Sequence, residues 1–273
     1  MFVEAVKGLT SALAIYEKRK TIAQIARRWT HLLIHGTARV GVFGAGGTGK
    51  TTLGSWLTGD LDTDRAVGEY QETIAIEHFK MPGEIPALLS VVPGQEARRP
   101  TTWAELYREL ASGKSFRVIN VVSWGHHASG IERARHRAYD ASASDDAFRA
   151  AYFEDSRIEE IKALQTLVPH LSAVPGAFRM VTLVTKQDLW WPDRRNVEAF
   201  YMQSAYAEAI EQIRSARGAA NFQHEFLSCA LVEQNLRMAD GFLLAETAAG
   251  YDDPLRVANL SKVASAIEQI ISP

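Results

Sequence analysis

The sequence holds a single cysteine, Cys229, so no disulfide can form within the chain, and a reducing compartment suits it. No apolar run approaches the roughly 18 residues that a membrane-spanning helix needs. The first residues lack a signal-peptide core followed by a cleavage site. Neither sign of charge is in marked excess: 30 Lys and Arg stand against 32 Asp and Glu, a net charge of -2. That balance gives no general pull toward nucleic acid or an anionic membrane. Internal repeats are absent too. What remains is a chain expected to be cytoplasmic, without a transmembrane segment and without nucleic acid as a partner. At 273 residues, 47% hydrophobic and 23% charged, it is long enough to bury one good core.

Residues 1–36 read as an N-terminal helical extension, with Leu9, Leu13, Ile22, Ile25, Trp29 and Leu33 at roughly helical spacing. Lys18, Arg19, Lys20, Arg27 and Arg28 make it basic. Two readings stand, a helix packed on the domain with a solvated basic face, and a helix that meets a partner or a membrane surface. From residue 37 onward, short apolar strands alternate with helical stretches. Strands are expected at 39–43, 73–81, 87–92, 115–123, 180–185 and 222–227, the second and third forming an antiparallel hairpin around Pro82–Pro86. Helices are expected at 50–57, 101–112, 153–171, 196–217 and 255–271. This order describes a mostly parallel α/β sheet with helices on both faces. The stretch 124–152, rich in Ala, Ser, Arg and Asp, reads as an insertion.

The segment Gly44-Ala45-Gly46-Gly47-Thr48-Gly49-Lys50-Thr51 fits the pattern G-x-x-x-x-G-K-[ST] between an expected strand and an expected helix. A loop wrapped around phosphates must turn sharply and bring backbone N–H groups close to the oxygens, and glycine tolerates both demands. The helix N-terminus that follows adds partial positive charge, so Thr52 and its neighbours join the cradle. Lys50 would reach the β- and γ-phosphates, and the Thr51 hydroxyl would ligate Mg²⁺.

Four further segments resemble the nucleotide-contacting motifs of the Ras-like small GTPase superfamily. Thr185-Lys186-Gln187-Asp188 is similar to the N/T-K-x-D motif, in which the aspartate accepts hydrogen bonds from guanine N1–H and the 2-amino group. Ser228-Cys229-Ala230-Leu231 resembles the S-A-L/K segment, with Cys229 in the serine slot and the Ala230 N–H directed at guanine O6. Cys229 reads equally as a buried small apolar residue. Tyr70-Gln71-Glu72-Thr73 is similar to the first switch, where Thr73 would contact Mg²⁺ and the γ-phosphate; Thr73 is also an ordinary strand-start residue. Val91-Val92-Pro93-Gly94-Gln95-Glu96 resembles the second switch, closest to bacterial MglA-type small GTPases. There Gly94 would offer its N–H to the γ-phosphate, and Gln95 would orient the attacking water.

The resemblance spans roughly residues 38–272. It implies a P-loop NTPase fold with a Ras-like, mostly parallel six-stranded sheet and one antiparallel hairpin strand. It implies GTP or GDP with Mg²⁺ as ligands, slow hydrolysis with Gln95, Lys50 and Thr73 in the catalytic roles, and Thr51 and Thr73 on the metal. A protein effector or activator would dock on Tyr70–Thr73 and Gly94–Arg99. The chain departs from the family at Val91, where an aspartate holds Mg²⁺, often through water. Ser90 cannot take over, since successive strand side chains point to opposite faces. That departure keeps a second function open, a scaffold that binds nucleotide with little turnover. Arg98 and Arg99 read either as internal arginine fingers, worth about 10³–10⁵ in rate, or as a basic surface. His126-His127 lacks cysteine or acidic companions at ligand spacing, which disfavours a metal. Trp190-Trp191 reads as core packing or as a shield for the base edge.

Overall fold

The structure is a computed structural model, and it describes residues 39–59, 75–80, 88–95, 99, 103, 104, 106–108 and 116–271. The N-terminal extension, Tyr70–Thr73, Arg98 and the hairpin tip lie outside the described residues.

Six strands form one sheet: β1 Arg39–Phe43, β2 Glu77–Lys80, β3 Leu88–Val91, β4 Phe116–Val122, β5 Phe178–Val184 and β6 Phe222–Ser228. Their order is β2-β3-β1-β4-β5-β6. All neighbours run parallel except the antiparallel pair β2–β3. The central strands read as near-continuous apolar runs because both faces are covered, as parallel sheets require. On one face α1 (Lys50–Thr58) and α6 (Asp253–Ile271) pack Leu53, Trp56, Leu57, Leu260 and Ile267 against Val42, Val91 and Leu183. On the other, α2 (Asp145–Ala173) and α5 (Ala205–Arg217) pack Leu164, Leu167, Ile210 and Ile213 against Phe43, Val122 and Val184. The short α3 (Gln187–Trp190) and then α4 (Arg194–Gln203) link β5 to α5. With its glycine loop between β1 and α1, this is the Ras-like P-loop fold that the motifs imply.

Three local features differ from expectation. Helix α2 starts eight residues earlier than the apolar periodicity indicates, because Ser144 caps it by accepting the Ala147 amide at 3.2 Å. Asp145 and Asp146 then complement the N-terminal dipole. Part of the stretch set apart as an insertion is therefore core helix. The helix expected over 196–217 is two, since Ser204 adopts extended backbone and its side chain caps α5 through the Tyr206 amide. A small hairpin, β7 (Leu236–Arg237) with β8 (Leu243–Ala245), follows β6. Strands of two and three residues are too short to show a period of two. Leu236, Met238 and Leu244 of this segment pack on Phe148 and Tyr152 of α2.

Candidate nucleotide site

The glycine loop lies at the carboxyl ends of β1, β4 and β5, the usual place for a ligand in an open α/β sheet. Gly47 has φ 72°, and a side chain there would overlap the Ala128 backbone. Its carbonyl accepts from the Ala128 amide at 3.0 Å and from Lys186 Nζ at 2.8 Å. Lys186 Nζ also donates to the His126 carbonyl at 2.5 Å, and Thr185 Oγ1 donates to the Thr48 carbonyl at 2.6 Å. Thr185 and Lys186 thus clamp the glycine loop from behind. Thr48 is fully buried, its hydroxyl bonded to the Ala45 carbonyl at 3.1 Å. Gly49 is the N-cap of α1 and brings no side chain to the helix end, which leaves the first-turn amides without a side-chain cap. Gly44, Gly46, Thr51 and Thr52 complete the rim.

Lys50 is the charge centre. Its ammonium is buried and donates to the Ala45 carbonyl at 2.6 Å. Burial first, and the Arg99 cation second, pull its pKa from 10.5 down to about 7, while the Glu77 carboxylate works in the opposite direction. The Gly94 segment closes directly on it. A side chain at Gly94 would overlap both Ala45 and the Lys50 ammonium, so only glycine allows this approach. Arg99 donates from Nε to the Gly94 carbonyl at 3.0 Å, pairs with Glu159 at 3.6 Å and lies over the Trp103 ring. Of the two readings of this arginine, an exposed basic surface does not hold, because Arg99 is buried beside Lys50. Gln95 follows Gly94, half-buried, and Val91 sits in the apolar core with Leu53 and Trp56. Ser90 points to the other face and bonds His78 Nδ1 at 3.3 Å.

At the base end Asp188 is fully buried. Its Oδ2 accepts from the Gln234 amide at 3.3 Å and the Thr247 hydroxyl at 3.4 Å, whereas Oδ1 has no partner among the described residues. Burial raises its pKa to about 6. Cys229 is buried, its thiol pushed up to about 12 by burial. The Ala230 amide, expected to face a base oxygen, donates to the Tyr251 hydroxyl at 3.2 Å, and that hydroxyl donates to Gln187 Oε1 at 3.2 Å. A base carbonyl would have to take the place of this phenol. Trp190 is core and donates from Nε1 to the Thr185 carbonyl at 2.8 Å; Trp191 lies edge-on to Tyr251.

One cluster escaped the sequence reading. Glu160 of α2 is fully buried and accepts from the Ser123 and Gly125 amides at 2.8 and 3.1 Å, from His127 Nε2 at 3.0 Å and from Tyr201 at 2.5 Å. It holds the turn in which Trp124 adopts φ 52° and Gly125 φ 79°. The His126 and Ala128 backbones that brace the glycine loop follow directly. His127 is thus committed to a carboxylate, and His126 is kept neutral, its pKa lowered to about 3 chiefly by burial and next by Lys186.

Lys186, like Lys50, is lowered to about 7 by burial. Between about pH 7 and 10.5 the unfolded chain carries these two protons and the folded chain does not. Stability of the ligand-free protein should therefore rise with pH across that window, by up to about 1.4 kcal/mol per pH unit for each lysine. Bound phosphate would hold Lys50 charged and flatten the slope. Thermal melts from pH 7 to 9.5, with and without GDP, check this; parallel slopes would count against phosphate at Lys50.

No protein-family model matches the sequence, and no curated protein matches it. Among solved structures, the chain is similar to an ADP-ribosylation-factor-like GTP-binding protein, the small COPII coat GTPase of Encephalitozoon cuniculi, in complex with GDP. That similarity has 12% identity and a TM-score of 0.48 over 98% of this chain and 93% of the other. It is also similar to a structure of the mammalian SRP receptor, at 16% identity and a TM-score of 0.39, covering 85% of this chain and 99% of that one.

Proposed function

We propose that this protein binds GTP and GDP with Mg²⁺ and hydrolyses GTP slowly, acting as a nucleotide-dependent switch for a protein partner in the cytoplasm. The observation that carries the reading is the Asp188 carboxylate, buried just beyond the end of β5 with Oδ1 lacking a donor among the described residues. A buried acceptor left unpaired costs about 1–3 kcal/mol. Guanine presents N1–H and an amino group that would satisfy it; adenine offers neither in that geometry. The residues fit the rest of the nucleotide. The α1 N-terminus and Lys50 would hold the β- and γ-phosphates, the Thr51 hydroxyl is a hard donor for Mg²⁺, and Gly94 would face the γ-phosphate. Bound Mg²⁺ would neutralise charge that develops on the phosphates. Gln95 would orient water, with Thr73 joining the metal from the first switch. Arg99, buried against Gly94 and Lys50, would add positive charge where the transferred group stands. The switch segments Tyr70–Thr73 and Gly94–Arg99 would meet the partner, and the 1–36 extension offers a second surface.

A second reading is favoured by a specific residue. Val91 removes the family's metal-holding aspartate, which suits a scaffold that keeps nucleotide with little turnover. Chromatography of the nucleotide released from purified protein, followed by phosphate release with GTP and Mg²⁺, tests both. GDP or GTP with slow release is expected. Retained GTP with no release, even with candidate activators, selects the scaffold. Equal affinity for ATP and GTP overturns both.

A further inference from the structure

Val91 leaves the second switch without a carboxylate at the family's metal-holding position, yet one stands on the adjacent strand. In the antiparallel pair β2–β3, Glu77 lies directly opposite Val91. Opposed residues share a face of the sheet, with Cβ atoms about 4.5–5.5 Å apart. That face is the one covered by α1, as two contacts in line show. Phe79, two residues beyond Glu77, packs so tightly on Gly54 that a side chain there would overlap its ring. Thr51, three residues before Gly54 and one helical turn away, donates its hydroxyl proton to Glu77 Oε2 at 3.1 Å.

This juxtaposition suits a hard cation. A threonine hydroxyl has one proton and two lone pairs, so Thr51 can give its proton to Glu77 and still present oxygen to a metal. A carboxylate has about four lone-pair positions, and Thr51 uses one of them. Glutamate is one methylene longer than aspartate, about 1.5 Å against the roughly 4.8 Å between neighbouring strands, and the Thr51 contact shows that the Glu77 carboxylate reaches the first turn of α1.

We infer that Glu77 replaces the missing aspartate of the second switch, supplying from β2 the carboxylate that holds Mg²⁺ beside Thr51. The inference rests on the nucleotide reading above. It assigns this chain an acidic metal partner that its second-switch motif does not contain.

Full-length protein, Glu77→Gln and the double variant Glu77→Gln/Val91→Asp would be loaded with fluorescent GDP. Retention would then be titrated with Mg²⁺, and Mn²⁺ occupancy read in parallel by electron paramagnetic resonance. Glu77→Gln should raise the metal midpoint about 10–100-fold and leave GDP affinity in chelator close to the parent's. Val91→Asp should recover part of the loss, which a misfolded variant could not do. An unchanged midpoint in Glu77→Gln, with the parent still binding GDP and Mg²⁺, overturns the inference alone. A parent that retains no GDP at any Mg²⁺ concentration overturns the reading on which it rests.

Discussion

Lys50→Ala is expected to lower GTP and GDP affinity by about 2–5 kcal/mol, the usual cost of truncating one partner of a buried, charged hydrogen-bonded pair. That corresponds to roughly a thirtyfold to several-thousandfold loss. The loss should come with little penalty to the ligand-free protein. In that state the ammonium donates to the Ala45 carbonyl and stands in a buried site, where the Arg99 cation acts against it more strongly than the Glu77 carboxylate acts for it. Deleting it relieves that repulsion and desolvation while removing the packing of its aliphatic stem on α1. These terms oppose one another, so the melting temperature should fall by less than for a core truncation such as Leu53→Ala, where about 2–5 kcal/mol is lost. Titration calorimetry and paired melts separate the two quantities. Near-parent GTP affinity in the alanine variant would remove Lys50 from the phosphate site.

This contrast also marks where the sequence speaks clearly. The glycine loop was legible because its chemistry is local. Eight consecutive residues between a strand and a helix carry the turn, the amides and the lysine. The central strands were legible because a sheet buried on both faces writes itself as apolar runs such as Val118–Val122 and Met180–Val184. Glu160 was not legible, because a single glutamate inside an amphipathic helix looks like any solvated charge. Its role comes from four donors brought to it by residues 33 to 41 positions away in sequence. The bracing of the glycine loop by His126 and Ala128 was hidden in the same way, inside a stretch whose composition reads as an insertion. Glu77 shows a third case. The strand that carries it was expected, but the partner it faces depends on hairpin register, and register is set by the turn and by burial. The hairpin β7–β8 and Tyr251 belong with Glu160. Contacts of the 232–251 segment with Asp188 and Ala230 arise between residues distant in sequence, with no periodic signal to announce them.

Asp188→Asn should change what the site accepts and what the site costs. In the parent, the buried carboxylate is an acceptor for two guanine donors. The amide puts a donor on one side, so GTP would meet a mismatched, buried pair. Sites built around such hydrogen bonds reject the mismatched ligand by as much as about 10⁴–10⁵. Xanthosine triphosphate, which carries a carbonyl where guanine has its amino group, restores the match and should become the preferred ligand. The ligand-free protein should respond differently. Burial raises the Asp188 pKa to about 6, above its ordinary 3.8. Its contribution to stability is therefore fully present below pH 3.8 and is lost as pH rises through about 6. Asparagine carries no such charge. At pH 7 the variant should be at least as stable as the parent without nucleotide, and the parent's decline between pH 4 and 6 should flatten. The Gln234 and Thr247 donors to Oδ2 still find an oxygen in the amide. Calorimetric titrations with GTP, xanthosine triphosphate and ATP, together with melts from pH 4 to 7, measure both effects. A variant that binds GTP as the parent does would show that Asp188 is a buried structural acid bound only to the 232–251 segment. The base would then have to be read by other residues.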